Sequence, residues 1–317
     1  MPDPAVIPVP PEGLLIELVT PLTPTCQLDA AGLSRLVGRV APYAAGIVAG
    51  SPGLGEALGL TDSVRLELFS TLLDQWDGPL FFGITAATQE ETWDWAQRLD
   101  SACLARPAER PVYWVDLPLW YHSNRGLPQY YQQLLGTLRH PLILLNQPEI
   151  IRERAQPWKH HNLRTAVFKK LTGLPEIRGL IFRGEMGRFY HYHRAAAGRP
   201  GFALYEGNES RFLARPSSWG VVSAGAQLFP AAWQTVVRAC LHPEDPAALT
   251  ISQAQLWQSS QQLLELTQGY QQYPVALLKA ALQALNVINQ DTATPVTMPA
   301  PAESKKKILD LLSSMAV

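Results

Sequence analysis

The stretch GLIFRGEMGRF (Gly179–Phe189) has the pattern of a buried strand that ends abruptly. Leu180–Phe182 forms an apolar run with no polar residue, and Arg183-Gly184-Glu185 then breaks it. Short apolar runs bounded by turn residues are typical of strands that are covered on both faces. The stretch therefore predicts a buried strand whose carboxyl end reaches solvent or a pocket.

Seven further apolar runs of strand length occur along the chain. Each is too short for an ordinary helix and too uniformly apolar for a half-exposed strand, which favours parallel strands in the middle layer of an α/β fold. The seven are LLIELV from Leu14, GIVAG from Gly46, PLFFGIT from Pro79, PVYWVDLP from Pro111, PLILLN from Pro141, FALYEG from Phe202 and GVVSAG from Gly220.

Amphipathic helical patterns separate these runs. Asp29 is a plausible N-cap for LDAAGLSRLVGRVAPY, and Thr61 for TDSVRLELFSTLLDQW. Strand starts lie about 29 residues apart, and eight alternating units of strand and helix are the signature of a (β/α)8 TIM barrel of ~250 residues. A doubly wound open sheet is the alternative. No G-x-G-x-x-G follows the first strand, which counts against a dinucleotide-binding fold.

The chain stays helical after the eighth strand. FPAAWQTVVRACL, PAALTISQAQLWQSSQQLLELTQGYQQ and YPVALLKAALQALNV predict about three helices beside the barrel. The linker DTATPVTMPAPAE then leads to a short amphipathic tail helix, SKKKILDLLSSMAV. We divide the chain into a barrel (1–240), a helical extension (241–288) and a linker with tail helix (289–317). The tail helix either packs on its own or a neighbouring subunit, or docks on another protein.

The composition indicates a large buried core with few charges. Of 317 residues, 47% are hydrophobic and 17% are charged, whereas an average domain has about 25% charged residues. A formal net charge of −1 supports neither nucleic acid nor an anionic membrane as a partner. No apolar segment approaches the ~18 residues of a membrane span, and the N-terminus has no signal-peptide pattern. The low charge also suggests a subunit interface.

Cysteine and histidine spacing predicts no metal site. Cys26, Cys103 and Cys240 are far apart and odd in number, which predicts reduced thiols in a cytoplasmic protein. His160-His161 and the pair His191 and His193 lack a third ligand at zinc-site spacing. We expect no metal and no other cofactor.

Function in a barrel of this kind lies at the carboxyl ends of the strands. Polar residues follow several of the predicted strands there, and they are the candidates for binding a ligand. The candidate residues are Glu17, Glu56, Tyr121, Asn146, Arg183, Glu206 and Ser223.

The order of several motifs resembles that of the dihydrodipicolinate synthase / N-acetylneuraminate lyase family. The motifs are LVTPLT, GSPGLGEALGLT, PLWYHSNRGLPQYY, LILLNQP, LPEIRGL and GVVSAGAQLFP, and they cover roughly residues 12 to 285. The resemblance implies a (β/α)8 barrel of the class I aldolase type with three extra C-terminal helices, assembled as a dimer or tetramer. It also implies a small carboxylate or keto acid as ligand, since family members act on pyruvate-containing compounds through a Schiff base on a lysine of strand 6.

Several of the family's functional positions have changed in this chain. The paired hydroxyl residues after strand 2 become Gly53-Leu54, or Gly50-Ser51 in another register. The proton-transferring tyrosine of strand 5 becomes Leu145, and the nearby carboxylate-binding arginine has no counterpart in Glu149-Ile150-Ile151. Tyr121 matches the tyrosine that reaches into the neighbouring subunit's site.

The Schiff-base lysine is also missing. An ungapped match places its position at Ile181, and a shift of two residues places it at Arg183. Isoleucine has no amine, and the delocalised charge of arginine makes it a poor nucleophile. The other lysines lie in predicted helices, loops leading to helices or the tail: Lys159, Lys169, Lys170, Lys279, Lys305, Lys306 and Lys307. The resemblance therefore assigns no catalytic residue to this chain.

Two hypotheses follow. The chain is a family member that lost Schiff-base activity and acts as a ligand-binding or protein-interaction pseudoenzyme. Alternatively, it is a lyase or related enzyme on carboxylate substrates, with Arg183 as an anion clamp and Glu17, Glu56, Glu185 or Glu206 as acid or base. Glu17 either forms a structural ion pair with Arg183 or acts on a ligand. The segment Trp120-Tyr121-His122 either packs at a dimer interface or lines a pocket.

Overall fold

Eight parallel strands form a closed barrel in chain order, with β1 paired to both β2 and β8. The computed structural model describes residues 7–104, 110–153, 160–216, 219–245 and 252–315. The TIM-barrel prediction is confirmed and the open sheet is excluded. The strands are β1 (Gly13–Glu17), β2 (Gly46–Ala49), β3 (Leu80–Gly83), β4 (Val112–Asp116), β5 (Leu142–Asn146), β6 (Ile177–Phe182), β7 (Ala203–Glu206) and β8 (Gly220–Ser223).

Helices alternate with these strands and surround the barrel. The side chains of Asp29 and Thr61 cap the first two helices, because each accepts a hydrogen bond from a backbone N–H in the first turn. The helices are α1 (Ala30–Val40), α2 (Asp62–Gln75), α3 (Gln89–Leu104), α4 (Leu127–Leu135), α5 (Pro148–Glu153), α6 (Thr165–Leu171), α7 (Met186–Ala196), α8 (Glu209–Ala214) and α9 (Pro230–Leu241). Short 3-10 turns span Pro118–Trp120 and Gly225–Gln227.

Aromatic rings fill the lower part of the barrel. Phe81 stacks on Tyr113 with ring centroids 4.7 Å apart and meets Tyr205 edge-on at 6.0 Å. The N-terminal segment closes the floor, since Tyr113 donates a hydrogen bond to Val9 O (3.1 Å) and Tyr205 donates one to Pro11 O (2.5 Å). The lower interior is therefore a packed core, so a site inside the barrel would lie at the opposite end, where the strands have their carboxyl ends.

The described part of the C-terminal region after α9 packs beside the barrel as three helices: α10 (Gln253–Tyr270), α11 (Pro274–Ala284) and α12 (Ala302–Met315). The tail helix α12 contacts α10 and α11 of its own chain, and its Ile308 and Leu312 are buried there. The apolar face of the tail helix is therefore already covered by its own chain, which counts against the alternative that this helix docks on another protein. The boundaries at 240 and 288 remain predictions. Among the described residues, no helix combines the length and apolar character that crossing a bilayer requires.

Candidate functional site at the barrel mouth

The strand register decides which side chains face the barrel interior. Neighbouring residues in register share a face of the sheet. Glu17 pairs with Val48, which pairs with the interior residue Phe81. Ile181 lies in register with Leu145 on one side and with the interior residue Tyr205 on the other. Glu17, Leu145 and Ile181 therefore face the interior near the carboxyl ends of their strands, a region we call the barrel mouth.

An ion pair between Glu17 and Arg183 crosses the barrel mouth. Glu17 is 3% exposed, and the Arg183 side chain is 18% exposed. Burial alone would lower the pKa of Arg183, but the charge and hydrogen bond of Glu17 outweigh it and raise that pKa above its usual value. Arg183 Nε is buried and has no hydrogen-bond partner among the described residues. The pair thus leaves the buried Nε–H of the guanidinium without an acceptor among the described residues.

A second carboxylate, Glu209 at the start of α8, also interacts electrostatically with Arg183. Glu209 Oε1 accepts hydrogen bonds from Ser223 Oγ (2.5 Å) and Gly225 N (2.8 Å), and its Oε2 accepts one from Tyr270 OH (2.5 Å). Burial raises the pKa of Glu209, and these three donors together with Arg183 oppose that rise. The candidate Ser223 is therefore engaged in holding Glu209.

Glu56 lies in the loop after β2 and is turned towards the C-terminal region. Its Oε1 accepts hydrogen bonds from Thr294 N (2.7 Å) and Thr297 Oγ1 (2.9 Å), and its Oε2 forms an ion pair with Lys279. Lys279 is fully buried and also donates to Thr292 O (2.7 Å). Burial lowers the pKa of Lys279, although the charge of Glu56 opposes this. All of these contacts are internal to the fold.

Tyr121 belongs to a buried cluster around Asp116. Asp116 Oδ2 accepts hydrogen bonds from Tyr121 OH (2.5 Å) and Tyr131 OH (2.6 Å), and its Oδ1 accepts one from Thr85 Oγ1 (2.8 Å). Burial raises the pKa of Asp116, and the three hydroxyl donors work against it. Asp116 therefore fixes the hydroxyl end of Tyr121, while its ring remains half-buried beside Trp120.

Asn146 and Glu206 hold loops at the carboxyl ends of their strands. Asn146 donates to Asn162 Oδ1 (2.8 Å) and accepts from Leu163 N (3.0 Å). Glu206 forms an ion pair with Arg211 and accepts from Asn208 N (2.7 Å). Burial raises the pKa of Glu206, and Arg211 opposes that rise.

The structure thus brings only two of the seven candidates, Glu17 and Arg183, together at the barrel mouth. Glu56, Tyr121, Asn146 and Glu206 are engaged in other internal networks, and Ser223 is linked to Arg183 only through Glu209. Tyr270 escaped prediction because it lies at the end of α10, and no strand-end pattern marks that position. Among the described residues, no three or more His, Cys, Asp and Glu side chains form a group suited to a metal ion.

A sequence model of the Dihydrodipicolinate synthetase family matches residues 10–315. The chain belongs to this family. A 4-hydroxy-tetrahydrodipicolinate synthase from Protochlamydia amoebophila (strain UWE25) is 22% identical over 236 residues, which cover 73% of this chain and 75% of that protein.

Solved structures of the family share the fold at low sequence identity. DHDPS from Cyanidioschyzon merolae, solved with lysine bound, superposes with a TM-score of 0.78 at 19% identity over 96% of this chain and 98% of that one. Dihydrodipicolinate synthase from Bacillus anthracis gives a TM-score of 0.77 at 18% identity over 98% and 99% of the two chains. At these identities the likeness shows the fold alone.

Family chemistry through a Schiff base requires an amine at the barrel mouth, so the positions of the lysines matter. Lys169 and Lys170 are exposed at the end of α6, and Lys305, Lys306 and Lys307 lie on α12. Lys279 is buried in α11 against Glu56. Of the six lysines that the structure describes, none lies at the carboxyl end of a strand; Lys159 lies outside the described residues.

Proposed function

We propose that this chain is a dihydrodipicolinate synthetase family barrel that has lost Schiff-base chemistry and binds a small carboxylate or keto acid without covalent attachment. The position of Ile181 carries the proposal, because it faces the interior of β6 beside Leu145. Two aliphatic side chains then occupy the register pair where the resemblance implies a lysine and a tyrosine. An aliphatic pair can form neither an imine nor a proton relay.

The ion pair at the barrel mouth determines how such a ligand would bind. A carboxylate ligand needs donors, and Arg183 offers a guanidinium whose Nε is unused among the described residues. The ligand would nevertheless compete with Glu17 for the same cation. We therefore expect weak, freely exchanging binding that strengthens in Glu17→Gln.

One observation favours the alternative, a lyase or related enzyme that works without an imine. Arg183 interacts with two carboxylates, Glu17 through a hydrogen bond and Glu209 through charge alone. Burial raises the pKa of Glu209. Carboxylates in unlike environments beside an anion clamp are a common arrangement for acid and base catalysis. Turnover of a keto acid that is lost in Glu17→Gln would support this alternative.

The deciding experiment is reductive trapping with pyruvate and borohydride, followed by intact mass measurement and peptide mapping. We expect no adduct on the natural chain, since no described lysine faces the barrel mouth. Ile181→Lys is the informative companion, because it introduces an amine at the interior position of β6. A stoichiometric adduct on any lysine of the natural chain would refute the proposal.

Ligand titration distinguishes a pseudoenzyme that binds a small ligand from one that interacts with another protein. Saturable binding of pyruvate without an adduct, weakened in Arg183→Leu, would support ligand binding at the barrel mouth. If neither binding nor an adduct is found, the interaction with another protein becomes the better hypothesis. Arg98→Gln is a suitable control, because Arg98 forms an exposed ion pair with Asp62 on the helices outside the barrel.

A further inference from the structure

A cleft of about 770 Å³ lies beside α1, next to the segment that follows β8. Arg35 and Arg39 line it from α1, one turn apart on the helix, and Phe229 and Pro230 line it from the segment after β8. Val287, which follows α11, also lines the cleft. None of its lining residues belongs to the barrel mouth, so the cleft is independent of the function proposed above.

Neutral oxygen atoms hold both guanidinium groups in place. Arg35 donates from Nε to Val287 O (2.9 Å) and from Nη2 to Asn289 Oδ1 (2.8 Å). Arg39 donates from Nε to Gln227 O (3.0 Å) and from Nη2 to Leu228 O (2.5 Å). A guanidinium has five N–H donors. Within the described part of the chain, no hydrogen bond engages the Nη1 of either arginine.

The positive charge of the two arginines has no direct counter-charge in the part of the chain that the structure describes. Over the described ranges, neither Arg35 nor Arg39 forms an ion pair with a carboxylate. The carboxylate of Asp29 reaches Arg35 only through Asn289, whose Nδ2 donates to it at 3.1 Å. Like charges one helical turn apart repel each other. Two preoriented cations beside an apolar wall therefore match a ligand that carries two negative charges and an apolar group.

We propose that this cleft binds an organic phosphate monoester, with the phosphate on Arg35 and Arg39 and the organic group against Phe229 and Pro230. A phosphate monoester carries a charge of about −1.5 to −2 at neutral pH, which two guanidinium groups neutralise. The planar fork of arginine also matches the oxygen geometry of phosphate. A carboxylate would neutralise only one of the two cations.

Gly38 offers a clean way to test the cleft. It lines the cleft between the two arginines, and a Cβ added there would meet no atom within 4 Å. Gly38→Phe therefore introduces an aromatic ring at the lining of the cleft from a position where the Cβ itself makes no clash, and Gly38→Ala is its matched control. The probe is phenyl phosphate, titrated by calorimetry at low ionic strength, with inorganic phosphate and benzoate in parallel.

We expect one phenyl phosphate per chain, with affinity retained in Gly38→Ala and reduced about tenfold or more in Gly38→Phe and Arg35→Gln. Arg98 supplies a charge control, because it is exposed and forms an ion pair with Asp62. Arg98→Gln should therefore bind phenyl phosphate as the natural chain does. Absence of saturable binding would overturn the proposal, as would an affinity of Gly38→Phe and Arg35→Gln equal to that of the natural chain, or benzoate binding as tightly as phenyl phosphate. If Gly38→Phe fails to fold, the proposal is tested by comparing the phenyl phosphate affinity of Arg35→Gln with that of Arg98→Gln.

Discussion

Glu17 and Arg183 are two charges that the barrel removes from water together. Desolvation makes a buried charge costly, and a partner at hydrogen-bond distance offsets most of that cost. Removing one member leaves the other charge buried without its hydrogen-bonded partner, whereas removing both leaves an apolar contact. The pair therefore has a clear thermodynamic signature, whatever its role towards a ligand.

Glu17→Leu should destabilise the protein by about 3–5 kcal/mol, because it leaves Arg183 buried without its carboxylate. The double variant Glu17→Leu with Arg183→Met should lose much less. Urea unfolding of the natural chain, both single variants and the double variant gives the complete cycle. Additive losses would show that the two side chains act independently.

Asp100 predicts a pH dependence of stability. Burial would raise its pKa, but the hydrogen bond from His140, the backbone N–H of Arg139 and other donors together lower it below the usual 3.8. A lowered carboxyl pKa contributes stability that is present above 3.8 and is lost as the pH falls through the folded-state pKa. Asp100→Asn should be less stable than the natural chain at neutral pH, and the difference should shrink on acidification. Unfolding curves from pH 7 downwards measure this, and a constant difference would contradict it.

The sequence predicted the contact between Glu17 and Arg183 at the barrel mouth better than it predicted the hydrogen-bond networks elsewhere in the molecule. Glu17 and Arg183 could be paired from sequence, because both follow predicted strands that end at the same face of a barrel. Glu56 could not be placed in this way, since its partner Thr294 is 238 positions away in a segment without periodicity. Its burial depends on where the C-terminal helices dock, and local pattern carries no information about that.

The strands were the most predictable elements. All eight apolar runs are strands of the barrel, and β6 begins two residues earlier than expected, at Ile177. Apolar runs of this length have few alternatives between amphipathic helices. The linker was less predictable, because side-chain contacts hold it rather than a repeating pattern. Lys305 on α12 binds Asp291 (2.7 Å), and Thr294 binds Glu56.

The tail helix should contribute to stability through its buried face. Ile308 is fully buried where α12 meets the rest of the chain, so Ile308→Ala should cost about 2–5 kcal/mol. Val296 is 72% exposed, and Val296→Ala should change stability by no more than about 0.5 kcal/mol. Thermal or urea unfolding distinguishes the two. An equally small effect at Ile308 would mean that α12 detaches before the barrel unfolds.

At the scale of the whole molecule, the few charges and the half-buried Trp120 and Tyr121 lead us to expect a dimer or larger oligomer. Trp120→Glu should shift the equilibrium towards monomers, because a charge at an interface core is strongly unfavourable. Light scattering at micromolar concentration measures the mass of both proteins. A monomeric natural chain would remove the basis for this expectation.

The contacts of Glu56 also have a consequence for the order of events during synthesis. The loop after β2 is made well before the residues that hold its Glu56. Among the described residues, Lys279, Thr294 and Thr297 pair this carboxylate, and Thr294 follows it by 238 positions. Domains fold as they are synthesised from the N-terminus. A nascent barrel that already has all eight strands must therefore keep Glu56 hydrated until the segment with Lys279, Thr294 and Thr297 has been made. Ribosome-stalled chains that end before residue 279 should be cut by protease in the loop after β2, whereas the released protein should resist cleavage there.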